Sequence, residues 1–174
     1  AAGSICQLTT LPGALTWKQF KNDPRQTTTP KDRAWFDTWG VNLGGGTPLG
    51  DDGKLDANLT ASRRETDSRY LGTQYSAYRS SDIDSYAFDP RYTLDTDIAG
   101  HQNQLTVGSD LRFDSSTIDS HGSSFGYPYD YVWDFDRTSI GGYAKDEFFF
   151  TETLSLAAGA RVERFDNRII NKAD

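Results

Sequence analysis

The stretch that decides the fold is GGYAKDEFFFTETLSLAAGARVERFD, residues 141–166. In its second half every even position from 154 to 162 is apolar: Leu154, Leu156, Ala158, Ala160 and Val162. The odd positions from 155 to 163 include Ser155, Arg161 and Glu163. A period of two predicts a β-strand with one apolar and one polar face. The short turn 151–153 joins this strand to an aromatic-rich stretch, which predicts an antiparallel hairpin.

The same alternation occurs twice more, in segments 55–62 and 105–114. Each has a partner strand upstream, at 35–44 and 86–96, and the segment 140–150 precedes the strand at 154. The phase of 140–150 stays ambiguous because Phe148, Phe149 and Phe150 are consecutive. Pro90 lies inside 86–96 and is expected to fray that strand at one end, since proline cannot donate to a ladder.

Connections of two kinds join these strands. The short ones are the turns 46–53, 97–102 and 151–153. Long polar connections are expected at 65–85 and 115–136. Short turns that alternate with long loops, between strands of about 9–11 residues, are typical of outer-membrane barrels. A further strand is possible at 14–21.

The predicted fold is therefore all-β: an antiparallel up-and-down meander of about six to seven long strands, forming a partial transmembrane β-barrel. The strand pairs are predicted at 34–64, 86–114 and 138–167. Alternation alone does not separate such a barrel from a soluble β-sandwich, whose outer face is also polar. Aromatic residues near strand ends, such as Trp35, Trp39 and Phe165, favour the barrel because they match its interfacial girdles.

Composition excludes several classes of function. Lys and Arg total 18 and Asp and Glu total 25, a net charge of −7 that argues against nucleic acid as a partner. Cys6 is the only cysteine, so no internal disulfide or cysteine-based metal cluster is expected. His101 and His121 fit no metalloprotease spacing, and there is no nucleophile-elbow motif. We expect neither an enzyme nor a cofactor.

Hydropathy fits a barrel as well as it fits a soluble chain. The mean hydropathy is −0.67, and no apolar run approaches the ~20 residues of a membrane helix. Barrel strands hide their apolar residues at alternate positions, so they escape this test. The first six residues have no positively charged start and no long apolar stretch, and they do not form a signal peptide.

The stretch 143–166 resembles a barrel hairpin of TonB-dependent outer-membrane receptors. That family often has Tyr-Ala-Gln-Asp-Glu-aromatic, a short turn, then Leu-x-Leu-x-x-Gly-x-Arg and an aromatic-Asp pair. Here Lys145 replaces the Gln and Glu152 an Asp of the turn. The resemblance covers about 34–167. It implies a barrel of about 22 strands with an N-terminal plug, so residues 1–174 look like an internal part of the barrel domain, without the plug and the TonB box.

The resemblance also implies where ligand and lumen contacts would lie. The loop 121–136, which is rich in aromatic residues, would be extracellular and contact the ligand. The polar faces of the strands would line the lumen. Candidate ligand-binding residues are His121, Phe125, Tyr127, Tyr129, Tyr131 and Trp133. Candidate lumen-facing residues are Asp56, Asn58, Asp110, Arg112, Arg161 and Glu163. Two acidic clusters are expected to be solvated: Asp82, Asp84 and Asp89, and Asp130, Asp134 and Asp136. Calcium binding by either cluster is the less favoured alternative. No metal site is assigned.

The function that the resemblance implies is active uptake of a scarce nutrient, a siderophore or another metal chelate, across the outer membrane. The expected partners are membrane lipid, the small-molecule chelate and the TonB complex, which would act through segments outside this chain. Two other readings stay open. One is a soluble all-β module that binds a ligand or carbohydrate, and the other is a passive porin-type barrel.

Overall fold

The computed structural model describes residues 2–10, 15–72 and 75–172. In these residues seven strands form one antiparallel sheet, in which each strand is hydrogen-bonded to its neighbours in the chain. The strands are β1 (Ala2–Thr10), β2 (Arg33–Pro48), β3 (Gly53–Leu71), β4 (Tyr75–Ile98), β5 (His101–Ser124), β6 (Tyr127–Thr151) and β7 (Leu154–Asn171). The predicted up-and-down meander of six to seven long strands is confirmed.

The sheet has one apolar and one polar face because the alternation stays in phase from strand to strand. Residues opposite each other in the ladder share a face, and Leu43, Leu59, Phe88, Leu111 and Ile140 form one such row across five strands. We call this side the apolar face and the other the polar face. Among the described residues no second layer covers the apolar face: Leu43 is 62 % exposed and Ile140 51 %.

The apolar band runs obliquely across the strands. We call the end of the sheet at which β3 ends, β4 begins and residues 125–126 join β5 to β6 the upper end. Toward that end the band stops at Phe113 on β5, which faces Thr138, whereas on β6 it stops at Ile140. On β7 it stops at Val162, although Ile140 faces Arg164. The band shifts by two residues at each of these steps, as it does when barrel strands tilt relative to the membrane normal.

The turns at the lower end lie where the sequence predicts them. β2 ends at Pro48 before β3 begins at Gly53, and β6 ends at Thr151 before Leu154. Between β4 and β5 only Ala99 and Gly100 remain, with φ of 55° and 80°. Two consecutive positive φ angles define a type I′ turn, the connection that matches the twist of antiparallel strands.

The prediction of long loops at 65–85 and 115–136 is wrong. β3 continues to Leu71 and β4 begins at Tyr75, while β5 and β6 are separated only by Phe125 and Gly126. Beyond the apolar band, β3 and β5 carry mostly polar residues on both faces, so the hydrophobic signal disappears there although the ladder continues. Sequence periodicity therefore recorded the part of each strand that carries apolar residues and missed its polar extension.

Pro90 does not fray an end of its strand. β4 runs through it, and its pairing with β3 is uninterrupted. The ladder between β4 and β5 skips Asp89 and Pro90 and resumes at Arg91. Because proline has no N–H to donate, the weak point of this strand lies in its middle and affects only one of its neighbours.

The prediction of a possible strand at 14–21 is also wrong. Trp17–Asn22 is a helix, α1, and Thr16 caps it: its hydroxyl accepts from the Gln19 N–H at 3.4 Å, and its own N–H donates to Gln19 Oε1 at 2.9 Å. Ala14 lies outside the described residues. The seventh strand is β1, which the periodicity did not predict. No helix in the described ranges is long and apolar enough to span a membrane.

Candidate ligand-binding wall

The lower part of the polar face carries two networks of charged residues. In the first, Arg161 forms an ion pair with Asp110 and lies 3.4 Å from Glu163 through Nη2. The Ser139 hydroxyl donates to Glu163 at 2.7 Å. The register places all six residues predicted to face the lumen on this one face: Asp56, Asn58, Asp110, Arg112, Arg161 and Glu163.

The second network surrounds Asp56. Its carboxylate lies 2.9 Å from Lys54 Nζ and 3.6 Å from Arg91 Nη2. The Asn58 amide donates to the Thr60 hydroxyl at 3.4 Å. These charges therefore neutralise one another along the polar face. Charged networks in a barrel interior contribute to structure in the same way.

Above these networks, β6 carries a row of aromatic side chains. Tyr129, Tyr131, Trp133 and Phe135 occupy alternate positions on the polar face. The Tyr129 and Tyr131 ring centroids are 5.9 Å apart and those of Trp133 and Phe135 6.4 Å apart, both pairs stacked. Tyr75 of β4 extends the row, with its centroid 6.3 Å from that of Tyr129. We call these five residues the aromatic wall.

The upper end of the aromatic wall packs on small residues. Tyr129 lies over Gly122, where a Cβ would collide with the Tyr129 hydroxyl and the Ser76 backbone. Ala77 and Ser120 line the same part of the sheet and are only 3 % and 2 % exposed. Large rings over small residues are a device that fills a glycine gap in a sheet, so this part of the wall is well ordered by packing.

A hydrogen bond links the two strands that carry these tyrosines. The Tyr129 hydroxyl lies 3.2 Å from the Tyr75 hydroxyl and 3.3 Å from the Ser76 carbonyl oxygen. The hydrogen bond with Tyr129, together with burial, raises the pKa of the Tyr75 phenol above its usual value. Tyr75 therefore stays a neutral phenol at physiological pH.

An open cavity of about 520 Å³ lies against the lower half of the aromatic wall. Tyr131, Trp133 and Phe135 line it together with Ile118 and Ile169. The remaining lining residue, Arg79, brings a guanidinium to an otherwise aromatic and apolar surface. Such a surface can hold the flat or apolar part of a ligand by ring contact, and its guanidinium can bind a carboxylate or another anion.

A comparison with protein-family models identifies the family of this chain. The family model described as "TonB dependent receptor-like, beta-barrel" matches residues 8–173. The chain belongs to the TonB-dependent receptor barrel family. A search of the curated proteins gave no match.

Two solved structures share the fold of this receptor barrel chain. One is the ferric citrate transporter FecA in the unliganded form, with a TM-score of 0.83 and 17 % identity. The other is the ferric yersiniabactin uptake receptor FyuA from Yersinia pestis, with a TM-score of 0.75 and 11 % identity. Each alignment covers 98 % of this chain, but only 28 % of the FecA chain and 30 % of the FyuA chain.

The structure of this receptor barrel chain separates the six candidate ligand residues. Tyr129, Tyr131 and Trp133 lie together in the aromatic wall. Tyr127 is on the same face but is 78 % exposed, next to Phe125, which is 73 % exposed in the turn itself. These residues belong to a strand and a tight turn, whereas the sequence placed all six in an extracellular loop.

His121 is on the other side of the sheet. It is opposite Tyr78 on β4, and the two rings stack with centroids 5.3 Å apart. Sequence reasoning missed Arg79, which lay in a predicted loop, and it also missed Tyr75, Ile118 and Ile169. The signal for Arg79 was the alternation of Tyr75, Ala77 and Arg79, which continues the period of β4.

The acidic residues considered for calcium binding do not form a cluster that could hold the ion. Asp82 and Asp84 lie on the apolar-face side of β4, whereas Asp89 lies on the polar face. A hydrogen bond from Lys172, at 2.5 Å, holds the pKa of Asp134 below its usual value, and the Thr117 hydroxyl donates to it as well. In the part of the chain that the structure describes, no group of three His, Cys, Asp or Glu side chains could hold a metal ion.

Proposed function

We propose that this chain forms part of the barrel wall of an outer-membrane receptor that actively takes up a scarce nutrient, with a metal chelate such as a siderophore complex as its cargo. Membership of the receptor family supports this proposal. The observation that carries the choice of ligand is the aromatic wall beside Arg79 on the polar face.

In this proposal the apolar face contacts membrane lipid and the polar face lines the lumen. The band on β5 spans 105–113, a length that fits the ~9–11 residues of a membrane-crossing strand. The charged networks around Asp56 and Arg161 then lie inside the barrel, where water and neighbouring side chains solvate them. The upper end of the sheet would be extracellular, which places the aromatic wall at the entrance of the lumen.

The chemistry of the aromatic wall favours a chelate that is negatively charged and has flat or apolar parts. Trp133 and Tyr131 offer rigid rings at low entropic cost, and Arg79 offers a charge-assisted contact. The two solved relatives bind or take up ferric chelates by their descriptions, ferric citrate and ferric yersiniabactin. Energy for inward transport would come from the TonB complex, which would act on segments outside this chain.

The test uses cells that produce the intact receptor containing this chain and a panel of ⁵⁵Fe-labelled chelates, starting with ferric citrate. We expect uptake of at least one chelate that stops when a protonophore removes the energy supply. Trp133→Ala and Arg79→Gln should each lower the affinity for that chelate about tenfold, because such contacts act as binding hot spots.

A control is Phe113→Leu, which changes an aromatic residue on the opposite face of β5, five residues below the position that faces Trp133. It should leave chelate affinity unchanged. Uptake that persists with the protonophore would contradict the proposal in favour of a passive porin. Recovery of the intact protein in the soluble fraction, without detergent, would contradict it in favour of a soluble binding module.

A further inference from the structure

The apolar band carries one charged side chain from β2 to β7, Asp146 of β6. The ladder places it between Leu105 of β5 and Ala158 of β7, both on the apolar face. The other residues of the band are uncharged; they occupy the odd positions in 39–45, 55–61 and 105–113 and the even positions in 86–94, 140–148 and 154–162. In the proposed orientation this carboxylate faces lipid, where a charged group is costly unless a partner neutralises it.

The described part of the chain gives this carboxylate a hydrogen bond but no opposite charge. Asp146 is exposed, and the side-chain N–H of Asn103 donates to it at 2.9 Å. No Lys, Arg or His nitrogen among the described residues lies within ion-pair distance of it. Lys145, its neighbour in the sequence, is on the polar face, where its Nζ lies 2.7 Å from Glu147. The negative charge of Asp146 therefore calls for a cation that these residues do not supply.

Asn103, which binds the carboxylate, has an unsatisfied oxygen of its own. It is on the apolar face, one step nearer the lower end than Leu105, and it is only 5 % exposed. Its Oδ1 is buried and accepts no hydrogen bond from the described residues. Because the hydrogen bond draws Asp146 toward Asn103, the carboxylate and this amide oxygen lie close together at the lower edge of the band. A buried acceptor without a donor is unfavourable, so both groups favour a positively charged donor of hydrogen bonds.

Aromatic rings lie beside and below these two side chains. Phe148 is directly opposite Asn103, and its ring centroid is 5.6 Å from that of His101. Phe150 packs edge-on against Phe148, with the two centroids 5.0 Å apart. The faces of aromatic rings attract cations, and aromatic side chains suit the boundary between hydrocarbon and headgroups. The site therefore combines a carboxylate, an amide oxygen and aromatic rings, a set of groups that suits an ammonium ion.

The position of the site favours an ammonium that belongs to a lipid. Asp146 and Asn103 are on the face that contacts lipid in the proposed orientation, at the edge where hydrocarbon gives way to headgroups. A primary ammonium has three N–H groups and can donate to both side chains at once, whereas a trimethylammonium has none. The two oxygens therefore favour a phospholipid with an ethanolamine headgroup over one with a choline headgroup. An anionic lipid without an amine is repelled by Asp146.

We propose that Asp146 and Asn103, with Phe148 and His101, bind the ammonium of an ethanolamine phospholipid in the leaflet at the lower end of the barrel. The ammonium donates to the Asp146 carboxylate and to Asn103 Oδ1, and it lies against the Phe148 ring. This lipid site is on the outer surface, near the end opposite to the aromatic wall. The inference rests on the membrane orientation in the proposed function and does not depend on the identity of the cargo.

The test uses the intact receptor in phosphatidylcholine nanodiscs that contain a small fraction of phosphatidylethanolamine as the probe. A hydrophobic carbodiimide joins a carboxylate to a primary amine only where the two are in contact, and peptide mass spectrometry then locates the coupled residue. We expect phosphatidylethanolamine to be coupled to Asp146. The control carboxylate Asp97, an exposed residue near the same end on the polar face, should remain uncoupled. Equal coupling of the two residues would contradict the proposal.

Native mass spectrometry of the same preparation counts the phosphatidylethanolamine molecules that stay bound after the nanodisc is removed. Asp146→Asn should lower this retention at least about tenfold, because the charge that attracts the ammonium disappears while the side chain keeps its shape. Asp97→Asn should leave retention unchanged. Phe148→Leu should weaken it, whereas Phe88→Leu, on the same face within the band, should not.

Three results would overturn the proposal. Unchanged retention in an inserted Asp146→Asn variant would mean that the carboxyl group is neutral and needs no cation. Equal retention of phosphatidylcholine would indicate nonspecific contact with lipid. Equal competition by soluble ethanolamine would indicate a site for free amines.

Folding and the proposed function are checked separately from lipid binding. Asp146→Asn should still be inserted, as shown by its heat-dependent gel mobility, and cells that produce it should still take up the iron chelate. Absence of chelate uptake in the wild type, with phosphatidylethanolamine retained, would count against the proposed cargo only. Loss of retention without loss of uptake in Asp146→Asn is the result that the lipid site predicts.

Discussion

At the residue scale, the aromatic side chains of β6 show what a sequence reveals and what it hides. The alternation of Tyr129, Tyr131 and Trp133 is visible in the sequence and shows that these residues share a face. The sequence nevertheless favours a loop there, because the segment 115–136 is rich in Ser, Asp and Gly. Arg79 could not be linked to these rings from the sequence, because its place beside them depends on the register across three strands.

The Tyr75–Tyr129 hydrogen bond predicts a pH dependence. The raised pKa of Tyr75 means that this contact contributes stability below about pH 10, the usual tyrosine value, and that this contribution is lost as the pH rises through the raised folded value. NMR of the receptor with ¹³Cζ-labelled tyrosine, assigned with Tyr75→Phe, should show Tyr75 titrating above pH 10. Tyr129→Phe should lower its midpoint; an unchanged midpoint would mean that the hydrogen bond does not cause the shift.

Phe125 adopts a backbone conformation that costs free energy. Its φ of 49° lies in the left-handed region, which asparagine tolerates better than phenylalanine. Phe125→Asn should raise the free energy of local opening of the β5–β6 turn by about 1 kcal/mol. Hydrogen exchange of the amides at Ser124 and Tyr127 measures it. Ala99→Asn, at the matching position of the β4–β5 turn, should give a similar gain; exchange that is faster in both variants would refute the account of the turns.

Two glycines on opposite faces form a matched pair for testing local packing. A Cβ at Gly108 would overlap the ring of Tyr143 on the polar face, whereas a Cβ at Gly142 on the apolar face meets nothing closer than 4.0 Å. Gly108→Ala should lower the stability of the barrel by about 1–3 kcal/mol, the usual cost of overpacking. Gly142→Ala should change it by less than about 0.5 kcal/mol. Urea unfolding in lipid bilayers distinguishes the two, and equal effects would contradict the packing.

At the scale of elements, the central parts of the strands were predictable and their upper ends were not. Segments 55–62 and 105–114 were recognised because one face must be apolar wherever the strand crosses a membrane. In the proposed orientation the extension of β5 to Ser124 has no such requirement, since water would be on both sides of it. Helix α1 was missed because Thr16 and Gln19 form its capping box, a signal that does not depend on hydrophobic period.

The assignment of the two faces predicts opposite responses to charge at adjacent positions of β5. Val107 lies on the apolar face near the middle of the band, and Thr106 lies on the polar face. Val107→Lys should lower the stability of the barrel by about 2–4 kcal/mol and reduce insertion into the membrane. Thr106→Lys should change both little. Heat-dependent gel mobility of the two variants gives the comparison, and a larger loss for Thr106→Lys would reverse the assignment.

At the scale of the whole molecule, the sheet depends on surroundings that it does not contain. Within the described residues β1 and β7 are edge strands, and large apolar side chains such as Leu43 and Val162 are 62 % and 77 % exposed. Edges and an uncovered apolar face are both unfavourable in water. A closed barrel in lipid removes both costs, because neighbouring strands satisfy the edges and lipid covers the face.

The central claim is that one face of this sheet contacts lipid and the other the lumen, and spin-label accessibility along β5 tests it most directly. Single labels at 104–114 in the intact receptor, in lipid and with Cys6 replaced by Ser, would be probed with oxygen and a water-soluble nickel chelate. The account predicts that oxygen relaxes labels at odd positions, such as Val107 and Leu111, and nickel relaxes those at even positions, such as Asp110. Equal or reversed accessibility of the two faces would contradict it.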